Sequence, residues 1–309
     1  MAGGQERVLR RRIRSVQSTK KITKAMELIA ASQIVRAQGR IAANRPYRAG
    51  IARVVVETAL ADPNAAERLV GTPEAPAAVG ILAIVGDRGL AGAYNSSVFR
   101  ATERLVAELS AAGTPFRLFT VGKKAPSYFR FRGIEVEQSF IGFADRPSFA
   151  DAREIGAIVT APFTAGEIDQ LLLVSTRFFS AGSQAVRTEQ LLPLPDPKKE
   201  RTEESDTPPT SIEATTWAKG YTEFEPDPAH LLIELAPRAV ESEIFAALLE
   251  GSAAFFTAQQ RAMAAATDNA DELIRTLSRI MNRARQDAIT TEIMEIVGGA
   301  EALRHAKGA

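Results

Sequence analysis

The glycine-rich segment 86–95, which reads GDRGLAGAYN, has the residue types that come closest to a phosphate-binding loop. Dinucleotide-binding loops need G-x-G-x-x-G, in which the first two glycines stand one residue apart so that the backbone can approach a pyrophosphate. Here two residues separate Gly86 from Gly89, and Asp87 would place a carboxylate where the phosphate should bind. A tight turn with close helix–sheet packing, in which Asn95 caps the following helix, explains the segment better. A nucleotide site remains the alternative.

Residues that could carry other chemistry are few. The sequence has no cysteine, which excludes disulfides, thiolate metal sites and a cysteine nucleophile. Its two histidines, His230 and His305, do not belong to a plausible cluster of metal ligands. The sequence also lacks a Ser-His-Asp set and a pair of histidines at helical spacing. We therefore predict no catalytic residue, no metal site and no cofactor.

The C-terminal segment carries the pattern around which the rest of the chain is organised. Apolar or small residues return at alternating steps of four and three, which is typical of a helix packed along one partner helix. The seam positions are Ile244, Leu248, Gly251, Phe255, Ala258, Ala262, Ala265, Leu273, Leu277, Ile280 and Ala284, and then, after a slip, Ile289, Ile293, Ile296, Ala300 and Leu303. Asp227 and Pro228 supply an N-cap and a first-turn proline. A helix from Pro228 to Leu303 would be roughly 110 Å long, so other proteins must cover part of it.

A second long helix is predicted over residues 5–60. Its seam positions are Leu9, Ile13, Val16, Ile22, Met26, Ile29 and Gln33. The alternating steps of four and three are interrupted between Val16 and Ile22, which we call a slip of the pattern. Pro46 should bend this helix or interrupt its hydrogen bonds. Polar belts lie near the slips, at Lys20, Lys21 and Lys24 on this helix and at Arg283, Arg285, Gln286 and Asp287 on the other. Because the two helices bracket the rest of the chain, we expect them to pair antiparallel.

The middle of the chain alternates strand-like and helix-like segments. Strands are predicted at 78–86, 116–122, 134–141 and 170–178, with a possible edge strand at 185–192, and helices at 96–112, 123–132 and 148–164. Such alternation predicts a mostly parallel sheet with right-handed crossovers. The expected fold class is therefore α/β: a long antiparallel coiled coil of the terminal helices plus a Rossmann-like, doubly wound α/β domain. The predicted parts are the N-terminal helix 1–60, the globular domain 77–195, an extended proline-rich charged loop 196–227 and the C-terminal helix 228–307.

Charge and apolar pattern leave two classes of function open. Residues 1–53 contain thirteen Lys or Arg against two acids, so this arm could neutralise several phosphates of a nucleic acid. A mechanical or scaffolding protein, whose terminal helices are buried by partners, is the other class. The apolar seam and the matching C-terminal helix favour the second class, because a nucleic-acid-binding arm needs neither. Three aromatics in the extended loop, Trp217, Tyr221 and Phe224, predict an anchor to another surface.

Five segments resemble a known family. They are KKITKAMELIAASQI at 20–34, GDRGLAGAYNSSVF at 86–99, QLLPLP at 190–195, FEPDP at 224–228 and RARQDAITTEIMEIVGGAEAL at 283–303. In this order they are similar to the gamma subunit of bacterial F-type ATP synthase, and the composition suggests an actinobacterial relative. The resemblance implies a central rotor shaft inside a ring of alpha and beta subunits, standing on a membrane c-ring together with an epsilon subunit. It implies a peripheral position on the cytoplasmic face of the cell membrane, and the loop 196–220 looks longer than the family norm.

The resemblance also implies roles for particular residues. Arg285 and Gln286 match the place where the family's shaft contacts a catch loop of a beta subunit, and Lys24 and Met26 are expected across from them. Thr290 and Glu292 are expected in the polar packing between the two helices, and the apolar tip 289–303 in a bearing formed by surrounding subunits. The foot on the c-ring and epsilon subunit is expected at Trp217, Tyr221, Phe224 and Glu225, although relatives carry Tyr in place of Phe224.

Overall fold

The structure is a computed structural model that describes residues 2–62, 69–71, 73, 75–194 and 224–307, with the backbone alone described at 2–4 and 301–307. The chain divides into two compact units. Ser32–Ala258 forms one, which we call the sheet unit, and Met1–Ala31 together with Gln259–Ala309 forms the other, the helix-pair unit. The division therefore falls inside the two long helices rather than at their ends.

The two long helices begin and end close to where the sequence predicts. Helix α1 spans Ala2–Ala61, and the last helix, α5, spans Pro228–Lys307. The backbone N–H of His230 donates to Asp227 Oδ1 at 3.0 Å, as expected of an N-cap. Pro46 does not end α1, which runs through it, because proline removes only one backbone donor while the following turns pack into a core.

Between the long helices lie five strands and three helices of the sheet unit. These are β1 (Val79–Ile84), α2 (Tyr94–Ala111), β2 (Phe116–Val121), α3 (Lys124–Phe131), β3 (Gln138–Phe140), α4 (Phe149–Thr164), β4 (Gln170–Phe178) and β5 (Gln184–Leu192). The strand order is β3-β2-β1-β4-β5. Strands β1 to β4 run parallel to one another, and β5 runs antiparallel to β4 at the edge of the sheet. The predicted doubly wound α/β fold is confirmed.

Both faces of β1 are covered, which explains its uninterrupted apolar sequence. Val79, Ile81 and Ala83 face a core cluster with α2 and α3, including Phe129. Leu82 and Ile84 alternate with them and face a second cluster, formed with Ile155 and Val159 of α4, Leu232, Ile244 and Leu248 of α5, and Val55 of α1. Segments of both long helices therefore belong to the core of the sheet unit.

Strand β3 is shorter than the predicted segment 134–141. Gly133, at φ +72°, ends the turn after α3, and the backbone N–H of Ile134 donates to Phe129 rather than to a strand. Ile134 and Val136 pack against the core without pairing in the sheet. Their apolar side chains produce a strand-like pattern, although the N–H of Ile134 belongs to a helix C-terminus and the first hydrogen bond to β2 comes from Glu137, whose N–H donates to Leu118.

Candidate functional site

The loop after β1 is closed by one of its own side chains. The carboxylate of Asp87 accepts hydrogen bonds from the backbone N–H groups of Lys123, Gly142 and Ala144, at 2.9, 3.0 and 2.9 Å respectively. These donors follow β2 and β3, at the carboxyl edge of the parallel strands, where doubly wound folds bind anionic ligands. Asp87 therefore occupies three amide donors at this edge of the sheet, and its negative charge disfavours a phosphate there.

Asn95 supports the same loop, but the prediction that it caps α2 is wrong. The helix begins at Tyr94, and Ala93 at its N-cap makes no side-chain hydrogen bond. Asn95 Oδ1 instead accepts from the backbone N–H of Gly86 at 2.9 Å, and its Nδ2 donates to the carbonyl of Arg88 at 3.0 Å. A short amide that can bond both ends of a turn competes with capping, and here it bridges the turn.

The predicted close packing of helix against sheet is confirmed at this loop. A Cβ added at Gly86 would lie 3.0 Å from the ring of Phe255 on α5. At the end of β2, Gly122 has φ +100°, and a Cβ there would lie 2.3 Å from the carbonyl oxygen of Val85. Only glycine fits this second position, because both its conformation and the space exclude a side chain.

An open cavity of about 350 Å³ lies beside the loop. It is lined by Gly89, Asn95, Phe99, Lys124, Ser127, Tyr128 and Phe131. Phe99 and Tyr128 stack with ring centroids 4.0 Å apart, and Lys124 supplies a cation, but the lining offers no carboxylate or imidazole for acid–base chemistry. Within the part of the chain that the structure describes, no group of three or more potential metal ligands is present.

A buried cluster of charges joins both long helices to the sheet. Glu250 on α5 is only 8% exposed, and its carboxylate lies 3.4 Å from Arg48 of α1 and 3.4 Å from Arg177 of β4. It also accepts a hydrogen bond from the backbone N–H of Phe178 at 3.1 Å. Arg48 in turn holds Glu243 through two hydrogen bonds of 2.8 and 2.5 Å. One carboxylate thus connects three elements.

The electrostatics of this cluster follow from burial and pairing. Burial raises the pKa of Glu250, although Arg177 and the N–H of Phe178 oppose the shift. Burial lowers the pKa of Arg48, but its hydrogen bond to Glu243 and the charge of that carboxylate outweigh this effect, so the pKa of Arg48 is raised. Arg48 is therefore held in its charged form, and Glu250 is the group of the cluster whose ionisation is opposed by burial.

In the helix-pair unit, α1 and α5 run antiparallel, and the α1 seam differs from the predicted one. Ile22 and Ile29, predicted as seam residues, are 58% and 59% exposed. The inward positions, all buried or half-buried, are Leu9, Ile13, Val16, Lys20, Thr23 and Ala30. The stepping by four and three continues through Lys20 and Thr23, so the predicted slip after Val16 is wrong. A search for apolar residues skipped these positions because their side chains are polar.

The same error affects the α5 side of the seam. Ala265, Leu273 and Ile280 are exposed, whereas the inward positions are Met263, Thr267, Ala270, Ile274, Leu277, Met281, Ala284 and Ala288. The step from Ala284 to Ala288 is four, so the predicted slip before Ile289 is also wrong. The earlier seam residues Ile244, Leu248, Gly251 and Phe255 are buried as predicted, but they lie in the sheet unit, where Ile244 and Leu248 join its main core cluster.

Two polar pairs cross the seam of the helix-pair unit. Thr23 Oγ1 and Thr267 Oγ1 lie 2.8 Å apart, and Lys20 Nζ lies 2.6 Å from Asp271 Oδ1. Many large apolar side chains also point outward. Those exposed in this unit are Val8, Ile22, Leu28, Ile29, Leu273, Ile280, Ile289, Ile293, Met294, Ile296 and Val297. The seam thus carries two polar pairs among apolar residues, while the outer faces carry large apolar side chains where those of a solitary coiled coil are polar.

The register of the pair corrects one expected relationship. The contacts of Lys20 with Asp271 and of Thr23 with Thr267 set the antiparallel alignment, and Gln5 accordingly lines a small cleft with Arg283, Ala284, Asp287 and other residues near Arg285. Lys24 and Met26 therefore do not lie across from Arg285 and Gln286. They lie about twenty residues further along the pair, roughly 30 Å away at 1.5 Å per residue.

The other predicted site residues are distributed along the described surface. Arg285 and Gln286 are exposed on α5, and Met26 is half-buried. Thr290 and Glu292 are exposed as well, so the expectation that they pack between the two helices is wrong. Lys24 forms an exposed ion pair with Glu27 on its own helix at 3.0 Å. Of the predicted foot, Phe224 is half-buried and Glu225 exposed, while Trp217 and Tyr221, with most of the extended loop, lie outside the described residues.

Sequence reasoning missed the residues that join the elements. Glu250 and Arg48 were passed over because each lies on a long helix among many exposed charges of the same type. A signal was present for Glu250, since it follows Leu248 and Leu249 in a segment whose neighbours are almost all apolar or small. Thr23 and Thr267 carried no such signal, because threonine is common on exposed helix faces.

Known proteins resemble this chain in sequence and in fold. The sequence model of the ATP synthase family matches residues 5–303. An ATP synthase gamma chain from a Parafrankia species is 46% identical over 97% of this chain and 98% of its own length. The ATP synthase gamma chain of Saccharopolyspora erythraea is 42% identical over 98% of each. The chain therefore belongs to the ATP synthase gamma chain family, and the expected actinobacterial relationship is confirmed.

Solved structures share the fold. A chain of the Euglena gracilis mitochondrial ATP synthase OSCP/F1/c-ring assembly matches with a TM-score of 0.64 and 18% identity, covering 99% of this chain and 97% of that one. A chain of the Tetrahymena thermophila mitochondrial central stalk and c-ring matches with a TM-score of 0.58 and 24% identity, covering 79% and 99%. Membership of the ATP synthase gamma chain family favours a mechanical protein over a nucleic-acid-binding protein. Within the described residues, no helix is long and apolar enough to span a membrane.

Proposed function

We propose that this chain is the central-stalk rotor subunit of an F-type ATP synthase and transmits rotation of a membrane c-ring to catalytic beta subunits. The observation that carries the proposal is the outer surface of the helix pair, where many isoleucines lie exposed although a seam between the helices is present. Exposed apolar area of this extent marks a surface that other proteins cover. A sleeve of alternating alpha and beta subunits would cover it on all sides.

The coupling follows from differential interaction. A shaft with unlike faces offers each beta subunit a different surface at each orientation, and only an interaction that differs between conformers can shift a conformational equilibrium. The chain holds no catalytic residue in this scheme, and nucleotide chemistry belongs to the beta subunits. Its sheet unit and an epsilon subunit stand on the c-ring, which holds the chain peripherally at the cytoplasmic face of the membrane.

The exposed residues of α5 supply the contacts that vary with orientation. Arg285 presents a guanidinium fork to a carboxylate of a beta catch loop, and Gln286 adds a hydrogen bond. The apolar residues from Ile289 onward run in the bearing. Lys24 and Met26 contact a beta subunit at a second level of the shaft, because the register separates them from Arg285.

The foot of the rotor includes the segment before α5. Glu225 is exposed beside the half-buried Phe224, and both immediately precede the N-cap Asp227. A carboxylate at that position can accept hydrogen bonds from polar loops of a c-ring. Trp217 and Tyr221 are assigned to the same contact from the sequence.

Single-molecule rotation tests the proposal directly. Because the chain has no cysteine, one cysteine introduced at the exposed Ala111 gives a unique attachment point for a bead. With alpha and beta subunits fixed to a surface, ATP should drive stepwise rotation of the bead in one direction. A chain ending before Ile289 provides the control for the contribution of the bearing. Failure to co-assemble with alpha and beta subunits, or assembly with a bead that never rotates, would overturn the proposal.

A further inference from the structure

The seam of the helix-pair unit contains one buried hydroxyl pair. Thr23 and Thr267 are 8% and 7% exposed, and their Oγ1 atoms lie 2.8 Å apart. Each hydroxyl is also within reach of a carbonyl in its own helix, at 3.0 Å for Thr23 to Lys20 and 2.8 Å for Thr267 to Met263. Two hydroxyl hydrogens serve three contacts, so one threonine donates within its helix while the other donates across the seam.

An ion pair lies one turn away. Lys20 Nζ is 2.6 Å from Asp271 Oδ1, with both side chains about two-fifths exposed. The apolar seam residues flank the two polar pairs, with Ile13, Val16 and Leu277 on one side and Ala30 and Met263 on the other. Apolar layers tolerate exchange of one partner for another, because dispersion and burial are not directional. A hydrogen bond or an ion pair, by contrast, is lost when its partner is exchanged for an apolar residue.

A slip between the helices would disrupt both pairs. The smallest slip that keeps the two seams facing each other is one heptad, roughly 10 Å. In one direction Thr267 would face Val16, and in the other it would face Ala30. The same slips would place Ala264 or Ser278 opposite Lys20, so that neither offers it a carboxylate. The native register is therefore the one in which both polar pairs form.

We propose that Thr23, Thr267, Lys20 and Asp271 are positioning residues that fix the axial register of the two helices. The proposal rests on the rotor function, since its consequence concerns the faces of the shaft. A slip of one heptad would move the α5 face that carries Arg285 by about two turns relative to the α1 face that carries Lys24. The polar pairs thus keep two partner-contacting levels at a fixed offset under load. A single buried polar residue sets register in other coiled coils in the same way.

Disulfide trapping measures the register without reference to rotation. In the full chain, Ile13→Cys with Leu277→Cys reports the native alignment, and Ile13→Cys with Ala270→Cys or Ala284→Cys reports a slip in either direction. With the polar pairs intact, only the native pair should oxidise rapidly. Thr23→Val with Thr267→Val, combined with Lys20→Ala and Asp271→Ala, should raise the ratio of slipped to native cross-link about tenfold, as expected from the loss of a charge-assisted hydrogen bond.

A charge swap separates register setting from general stability. Lys20→Asp and Asp271→Lys should each raise the slipped cross-link, and the two together should restore the native ratio. The matched control is the swap of Glu6 with Arg10, an ion pair within α1 at 2.6 Å, which should leave the ratio unchanged. In assembled enzyme, the single reversals should lower protons pumped per ATP hydrolysed, and the double swap should recover that ratio.

The outcomes distinguish this inference from the rotor proposal. Identical cross-link ratios in all variants, or no recovery in the double swap, would overturn the register role while leaving rotation untouched. Slipped cross-links with unchanged pumping per ATP would show that register has no mechanical consequence, which also contradicts the inference. Failure of the unsubstituted chain to assemble with alpha and beta subunits would instead contradict the rotor function.

Discussion

Glu250 accepts a hydrogen bond at 3.1 Å from the backbone N–H of Phe178, which ties α5 to the last residue of β4. The same carboxylate also pairs with Arg48 of α1, so this one residue links both long helices to the sheet. Non-directional apolar contacts join the same elements, but they resist sliding less than a hydrogen bond of fixed geometry does. We therefore expect the cluster to act as a joint between α1, α5 and β4 within the sheet unit.

Glu250→Ala should lower the free energy of unfolding of the sheet unit by about 1–3 kcal/mol, because the N–H of Phe178 and part of the charge of Arg177 lose their buried partner. Arg48 keeps Glu243, which limits the loss. Urea unfolding followed by circular dichroism measures the change. Glu57→Ala, which removes an exposed ion pair with Arg53, is the control and should cost below about 1 kcal/mol. Equal effects of the two substitutions would contradict the joint.

The raised pKa of Glu250 predicts a pH dependence. The unfolded chain releases this proton near pH 4.5, and the folded chain releases it at a higher pH. The folded state therefore binds more protons in that interval, and the contribution of Glu250 to stability falls as pH rises through it. Unfolding of the native chain and of Glu250→Gln should be compared from pH 4.5 upward. The native chain should lose stability relative to the glutamine variant, and a constant difference would contradict the prediction.

Asp87→Ala should lower the free energy of unfolding by about 2–4 kcal/mol, because three backbone N–H groups lose a charged acceptor. Asp87→Asn should cost less, since its carbonyl oxygen still accepts. Thermal unfolding measures both, with the exposed Glu135→Ala as the control.

Calorimetry on the native chain should detect no binding of ATP or NAD at the same loop, because the glycine spacing is wrong and the Asp87 carboxylate repels phosphate. Micromolar binding that is lost in a folded Gly89→Val variant would restore the nucleotide-site alternative.

Arg285→Ala with Gln286→Ala should leave the complex assembled but slow ATP turnover by roughly tenfold, the effect of losing a charge-assisted contact worth about 1.5–3 kcal/mol. Melting of the isolated chain should not change, because both side chains are exposed. The exposed Arg275→Ala on the same helix is the control. Assembly and turnover both unchanged would remove these residues from the beta contact.

The effects of Lys24→Ala and Arg285→Ala on turnover should be additive in free energy. Sites separated by more than about 10 Å with no shared partner add within about 0.5 kcal/mol, and the register places these two roughly 30 Å apart. A double-mutant cycle in reconstituted enzyme gives the coupling directly. A coupling well above that limit would indicate that both residues act on one beta contact after all.

Hydrogen exchange on the isolated chain should distinguish the two units. Amides of residues 20–31 and 289–300 should exchange faster than those of β1, because the helix pair exposes its isoleucines and lacks the partners that would cover them. Strand β1 is buried on both faces and should be among the slowest regions. Equal protection of residues 20–31 and β1 would show that the helix pair is stable without partners.

The identity of the elements was available from the sequence, since each depends on local pattern. Asp227 before Pro228 predicted the start of α5, and the apolar run 78–86 predicted a strand covered on both faces. The absence of cysteine argued against disulfides and thiolate sites, and the glycine spacing around Gly89 argued against a nucleotide site. Both inferences depend on residue type and spacing alone. Segments at 20–34 and 283–303 carried enough specific residues to indicate the family.

The tertiary structure decided which polar residues are inside. Lys20, Thr23 and Thr267 occupy seam positions that a search for apolar periodicity cannot recognise, because the partners that they meet across the seam lie hundreds of residues away in the sequence. For the same reason the register, and with it the separation of Lys24 from Arg285, could not be obtained from either helix alone.

The roles of Asp87 and Glu250 also depended on the fold. Asp87 was correctly seen as unfavourable for phosphate, but its three amide donors come from two other loops. Glu250 resembles an exposed helix charge until α1, β4 and α5 are brought together around it. Local pattern thus determined the helices, the strands and the family of this chain. Hydrogen bonds between distant segments determined the register of α1 against α5, the cluster around Glu250 and the loop closed by Asp87. Such bonds require a specific partner, and sequence periodicity does not identify that partner.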